Sequence, residues 1–135
     1  MRRVVLSLMT IGTLAAASSA LAGAQPNVAG EAKLAKRLEG RVAGKPVHCI
    51  NLREAGGSEV IDGTAIVYDG PGGSLYVNRP RGGADTLRRD DVLVTRSFNA
   101  QLCNLDSVNL VDSASRSPRG FVSLGDFTPY AKPKP

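Results

Sequence analysis

The chain has no tryptophan, three tyrosines, three phenylalanines, one histidine and two cysteines in 135 residues. Each shortage excludes something. Aromatic residues make up 4% of the chain, too few for the stacking platforms on which sugars and nucleic-acid bases are held. His48, Cys49 and Cys103 are only three candidate zinc ligands, two of them adjacent, and a structural zinc site takes four. No G-x-S-x-G stands in the sequence to make a nucleophile elbow. No D-x-[DN]-x-[DN]-G spacing is present for a calcium loop. Gly70-Pro71-Gly72-Gly73 is glycine-rich but lacks the Gly-Lys-Ser/Thr ending and the following helix of a phosphate cradle. It reads as a hairpin turn, and Gly82-Gly83 reads the same way. No catalytic, cofactor-binding or metal-binding residue is expected, and no cofactor.

Long apolar runs are also missing. The most apolar stretch, residues 4–14, is broken by Ser7, Thr10, Gly12 and Thr13 and is shorter than the roughly 18 residues of a spanning helix. Its context explains it otherwise. Arg2 and Arg3 precede it, and small residues follow through Ala20-Leu21-Ala22-Gly23-Ala24. Positive start, apolar middle and small-residue end are the order of a secretory signal peptide. Cleavage is expected after Ala24, with Ala22 as the rival site. No cysteine lies near either, which argues against lipid attachment, and the context of Arg2-Arg3 fits general export better than a twin-arginine signal. The expected location is periplasmic or secreted, with no stable membrane span after cleavage.

Loss of residues 1–24 leaves about 110 residues, one small domain. Arg2 and Arg3 leave with the signal, so the formal charge of +5 falls to about +3 with both signs interspersed. That gives no basic stripe for nucleic acid. The expected partner is an unknown envelope protein or a small ligand.

The remaining chain divides into a leader with a short helix over 25–45, a β-domain over 46–130 and a disordered tail over 131–135. The helix is expected at 31–41, where Leu34 and Leu38 share a face and Gly40 and Gly44 act as stops. Seven short apolar or alternating segments follow, at 47–52, 59–62, 64–68, 74–78, 92–96, 107–111 and 120–124. Residues 98–104 read as a connector. Six to seven strands spaced about ten residues apart predict a mainly β fold, a small antiparallel sandwich or barrel, with the helix on one end or edge. There is no internal repeat and no βαβ alternation, which disfavours a doubly wound sheet.

Cys49 and Cys103 are an even pair in a chain bound for an oxidising compartment, which points to a disulfide. The loop is over fifty residues long, and its closure is worth roughly 4 kcal/mol. The alternatives are two free structural cysteines, or a reactive thiol with His48 as base. Neighbours on a strand face opposite ways, which weakens the latter. Among the acids, Arg88-Arg89-Asp90-Asp91 reads as a solvated charge cluster, while Asp62, Asp69, Asp85, Asp106 and Asp126 occupy turn or boundary positions. A carboxylate set of Asp62, Asp90, Asp91 and Asp106 is the one enzymatic arrangement to weigh against a binding or structural role in the envelope.

Gln101-Leu102-Cys103-Asn104-Leu105-Asp106 and Val122-Ser123-Leu124-Gly125-Asp126-Phe127-Thr128-Pro129-Tyr130 resemble a family of small exported bacterial proteins catalogued as a domain of unknown function. Cys49-Ile50-Asn51-Leu52, Asp62-Gly63-Thr64-Ala65-Ile66, Tyr76-Val77-Asn78 and Leu87-Arg88-Arg89-Asp90-Asp91 fit the same pattern. Together they cover the chain from about Gly40 to Tyr130. Members of the family carry four cysteines. Two match Cys49 and Cys103; the others fall at Ala84 and Val122 here. The resemblance implies that the missing two formed one disulfide and were lost together, leaving Cys49–Cys103 as the other. It implies fold and export, and carries no mechanism.

N-terminal sequencing of the processed protein from an envelope fraction should read from Gln25. A sequence starting at Gly23 would move the cleavage to Ala22, and an intact Met1 in that fraction would remove the signal-peptide reading.

Overall fold

A computed structural model describes residues 26–135. The expected signal peptide lies outside the described residues. The elements are one helix, α1 (Val28–Arg37), and ten strands: β1 (Val42–Ala43), β2 (Cys49–Asn51), β3 (Ser58–Ile61), β4 (Ala65–Asp69), β5 (Leu75–Asn78), β6 (Asp91–Val94), β7 (Gln101–Cys103), β8 (Ser107–Asp112), β9 (Pro118–Ser123) and β10 (Phe127–Ala131). Two 3₁₀ turns lie at Pro71–Gly73 and Ala84–Thr86. The fold is mainly β, as expected, and every sheet is antiparallel.

The strands form a five-stranded sheet in the order β1-β10-β5-β4-β3, a three-stranded sheet β6-β8-β9 and a two-stranded ribbon β2-β7. The five-stranded sheet is covered on both faces. On one face Ile61, Ala65, Val67, Leu75 and Val77 pack with Leu34 of α1, and Leu38 and Tyr130 close the edge of that cluster. On the other, Val60, Ile66, Tyr68 and Phe127 meet Val108, Leu110 and Val122 of the smaller sheet and Ile50 and Leu102 of the ribbon. The helix therefore lies over a sheet face, not at an end or edge. Double cover explains β4, where Ala65, Ile66, Val67 and Tyr68 are all buried. A strand with one wet face would alternate.

Helix α1 starts three residues before the expected 31. Asn27 is its N-cap, its side-chain oxygen accepting the Gly30 N–H at 3.1 Å. Such a cap satisfies one of the open amides of the first turn. The Asn27 amide also donates to the Asp62 carbonyl at 2.9 Å, tying the helix start to the β3–β4 turn. Gly30 is inside the helix because α1 touches that turn there. A Cβ at Gly30 would run into the Thr64 hydroxyl. The helix ends at the Leu38 cap, and Gly40 follows at φ 74°, the left-handed conformation usual after a helix.

Three strands lie where none was expected. β1 has two residues and pairs with β10. β7 occupies part of the expected connector at 98–104 and pairs with β2. β10 carries Pro129, a residue that within a sheet is confined to edges, strand starts or bulges because it has no N–H to donate. Phe127 exchanges both main-chain bonds with Val47, so the main chain two residues on turns to the same outer side. The absent Pro129 N–H thus faces the short flanking segment, not β5. β9 begins at Pro118, two residues before the expected 120. Of the expected leader over 25–45, the described residues 26–45 are packed and paired with the rest through α1 and β1, and Ala131 of the expected tail closes β10.

Two polar devices fix the layers. Asn78, fully buried in β5, donates to the Gly125 carbonyl at 2.6 Å and accepts the Gly125 N–H at 3.1 Å. That exchange holds the turn between β9 and β10 against the sheet. Gly125 has no room for a side chain, since a Cβ would strike the Arg79 carbonyl. Arg119 of β9 makes a two-pronged contact with Asp91 of β6, at 2.7 and 2.9 Å, and also donates to the Thr86 carbonyl at 2.7 Å. The Asp91 side chain is 1% exposed. Burial alone raises its pKa, but Arg119 and the Arg88 N–H outweigh it and hold the carboxyl below its ordinary value.

Asn78→Ala should lower the unfolding free energy by about 2–4 kcal/mol, because it leaves a buried N–H and a buried carbonyl at Gly125 unpaired. Urea denaturation followed by circular dichroism measures this. A loss under about 0.5 kcal/mol, the size of an ordinary surface substitution, would mean the turn is held by something else.

Candidate functional site

Cys49 and Cys103 are joined, with S–S 2.05 Å and Cα atoms 4.0 Å apart. They are direct partners across β2 and β7. Their neighbours Ile50 and Leu102 point into the core at 5% and 1% exposure, so the disulfide lies on the outer side of the ribbon. The bond rules out both the free-cysteine and the reactive-thiol readings. It also anchors a two-stranded ribbon, which alone is marginal in water.

His48, next to the disulfide, is 79% exposed at its side chain. Its Nδ1 is 3.1 Å from Asp126 Oδ1 and 3.1 Å from the Asn104 amide nitrogen. Asn104 in turn donates to Asp126 Oδ1. The Asn104 amide and then His48 hold the Asp126 carboxyl below its usual range. This trio ties the ribbon to the turn before β10. The pairing of His48 with Asp126, 78 residues on, left no local signal in the sequence.

The four carboxylates weighed as an enzymatic set do not converge. Asp62 Oδ1 accepts the Arg89 N–H. Asp106 Oδ2 accepts the Cys103 N–H at 2.7 Å. Asp91 is engaged with Arg119. Only Asp90 and Asp91 border a common cleft. Among the described residues no three His, Cys, Asp or Glu side chains are grouped to hold a metal ion. The arrangement lends the carboxylate reading no support.

A different feature stands out. A cleft of about 540 Å³ lies between β3 and β6, lined by Ser58, Glu59 and Val60 on one side and by Arg89 through Leu93 on the other, with Lys33 at its rim. It adjoins, at Ser58 and Leu93, a hollow of about 190 Å³ walled by Leu52, Ala55, Gly57, Tyr68 and Thr95. The first part is charged, and the second carries no charged side chain and mixes apolar and polar surface. Both walls are the outermost strands of their sheets.

Tyr68 bounds the inner hollow. It is 4% exposed, its ring packs edge-on against Phe127 with centroids 5.9 Å apart, and its hydroxyl has no hydrogen-bond partner. Among the described residues it is the one buried side-chain polar atom left so. Burial pushes its pKa up, so the group is a neutral O–H with a proton to donate. In the sequence Tyr68 closes an apolar β-branched run and looks like any core residue.

An unsatisfied buried hydroxyl costs about 1–3 kcal/mol. Tyr68→Phe should therefore raise the unfolding free energy of the unliganded protein by about 1 kcal/mol, read from its urea midpoint at unchanged m-value. A destabilised Phe variant would show that the hydroxyl already has a partner in solution.

No family model matches the chain, and no curated protein and no solved structure is found to be similar to it.

Proposed function

We propose that this chain is an exported binding domain of the bacterial cell envelope, and that the cleft between β3 and β6 is where it binds. The observation that carries the reading is the cleft itself, about 540 Å³ between the terminal strands β3 and β6, opening at Ser58 and Leu93 onto a second hollow bounded by Leu52, Ala55, Tyr68 and Thr95. A concave pocket that combines apolar side chains with a few polar groups is the usual form of a binding site.

Export to the periplasm or beyond is supported by the residues at 1–24 and by the Cys49–Cys103 disulfide, which is at home in an oxidising compartment. Membership of the small exported family with four cysteines is part of the same proposal. Ala84 packs against the cluster that includes Val122, and Gly82 bridges Ser123. The two positions without cysteine therefore lie on adjoining segments, where a second disulfide would have closed.

Thermal unfolding of the processed, disulfide-intact protein tests the binding reading against fractions of an envelope extract. The comparison protein is Ala55→Trp, which fills the inner hollow. A fraction holding the ligand should raise the melting temperature of the wild type by several degrees through mass action and leave Ala55→Trp unmoved. No shift from any fraction, or equal shifts in both proteins, would overturn the proposal.

A further inference from the structure

The cleft has an unusual lining. Three consecutive residues of β3, Ser58 to Val60, and three of β6, Asp91 to Leu93, border it, together with Arg89 and Asp90 of the turn that leads into β6. A sheet face exposes every second residue. Consecutive residues line a space only when the strand presents its edge, with its main-chain N–H and C=O groups. Both strands are terminal in their sheets, so the cleft is bounded by two strand edges from two different sheets.

The direction of the β3 groups follows from its pairing. The Asp69 N–H donates to the Gly57 carbonyl at 3.0 Å. Alternation in an antiparallel pair then turns the main-chain groups of Gly57, Glu59 and Ile61 toward β4, and those of Ser58 and Val60 outward. Among the described residues no element outside the sheet bonds to the Ser58 or Val60 main chain. Ser58 borders both parts of the cleft, so outward-facing amide and carbonyl groups lead from the cleft toward the inner hollow.

We infer that the cleft takes up an extended peptide segment of another protein, which pairs as an added strand with the β3 edge and seats an apolar side chain in the hollow of Leu52, Ala55, Tyr68 and Leu93. This rests on the binding reading above and names its ligand class. Main-chain pairing supplies affinity in such strand addition, and the pocket beneath supplies the sequence preference. The preference is for a β-branched or aliphatic residue at the seated position. A peptide fits this lining better than a compact molecule because two strand edges offer a repeating series of donors and acceptors, which only a polyamide matches along its length. The rim carries Lys33 and Arg89 against Glu59 and Asp90, so neither charge sign is selected strongly.

The test uses the whole processed protein with its disulfide intact and a displayed library of random twelve-residue peptides. Peptides with alternating apolar residues should be enriched. On binding, they should protect the Ser58 and Val60 amides from hydrogen exchange. Ala55→Trp, which fills the hollow, should weaken them about tenfold or more. N-methylation of alternate main-chain nitrogens in a selected peptide should abolish binding without touching the protein's own fold. If no peptide is enriched, or if the enriched ones tolerate N-methylation or bind Ala55→Trp equally, strand addition is overturned. In that event a small-molecule extract fraction that still shifts the wild type and not Ala55→Trp leaves the cleft a binding site for another ligand. Failure of both experiments removes the binding reading as well.

Discussion

The five-stranded sheet must hide both of its faces, and most of the architecture follows from that. β4 carries Ala65, Ile66, Val67 and Tyr68 in succession, so neither face can be left to water. Alternate residues supply two separate cores. One is closed by the short helix through Leu34, the other by the small sheet and the ribbon. Burial of each aliphatic side chain is worth about 1.5–3 kcal/mol, and a chain this short has few of them to spare. The helix is consequently an integral layer. Its docking depends on the absence of a side chain at Gly30 and on Asn27, which caps the helix and holds the β3–β4 turn at once.

The second β layer is made of two pieces, each too small to stand alone. The ribbon has one apolar pair facing inward and one disulfide facing outward. The cross-link spans 54 residues, and by constraining the unfolded chain it contributes about 4 kcal/mol. The three-stranded sheet is braced from inside by Arg119 and Asp91, whose charges survive burial because each satisfies the other and because main-chain groups at Thr86 and Arg88 complete their shells. Asn78 does the equivalent at the turn before β10 through Gly125. These polar contacts set how the second layer sits on the first.

That seating leaves the edges of β3 and β6 lining one cleft with nothing paired between them. Exposed strand edges are a liability, and folds usually blunt or cover them. Here the cleft keeps charged residues at its rim and a hydroxyl buried beneath it with no partner. An apolar residue at Tyr68 would pack as well and cost less.

Much of the strand content was legible in the sequence because apolar runs and glycine-rich turns are local. Seven expected segments each coincide with strand, and the two cysteines meet as an even pair should. What escaped is non-local. β10 reads poorly because of Pro129, and it is a strand only because its missing N–H faces the outer segment. β1 and β7 are too short for any periodicity and exist by virtue of partners some 90 and 50 residues away in the chain. The helix was placed late because Gly30 looks like a breaker until Thr64 is seen beside it. The candidate site left no motif at all. A strand edge is defined by the partner it lacks, and an orphan hydroxyl by the acceptor that is not there. The amino-acid sequence by itself determined a mainly β domain with one disulfide, since alternation and cysteine pairing are written in residue order. Only the tertiary structure decided which edges stayed open and that the Tyr68 hydroxyl would be buried without a partner, because those properties belong to the space between segments and not to any one of them.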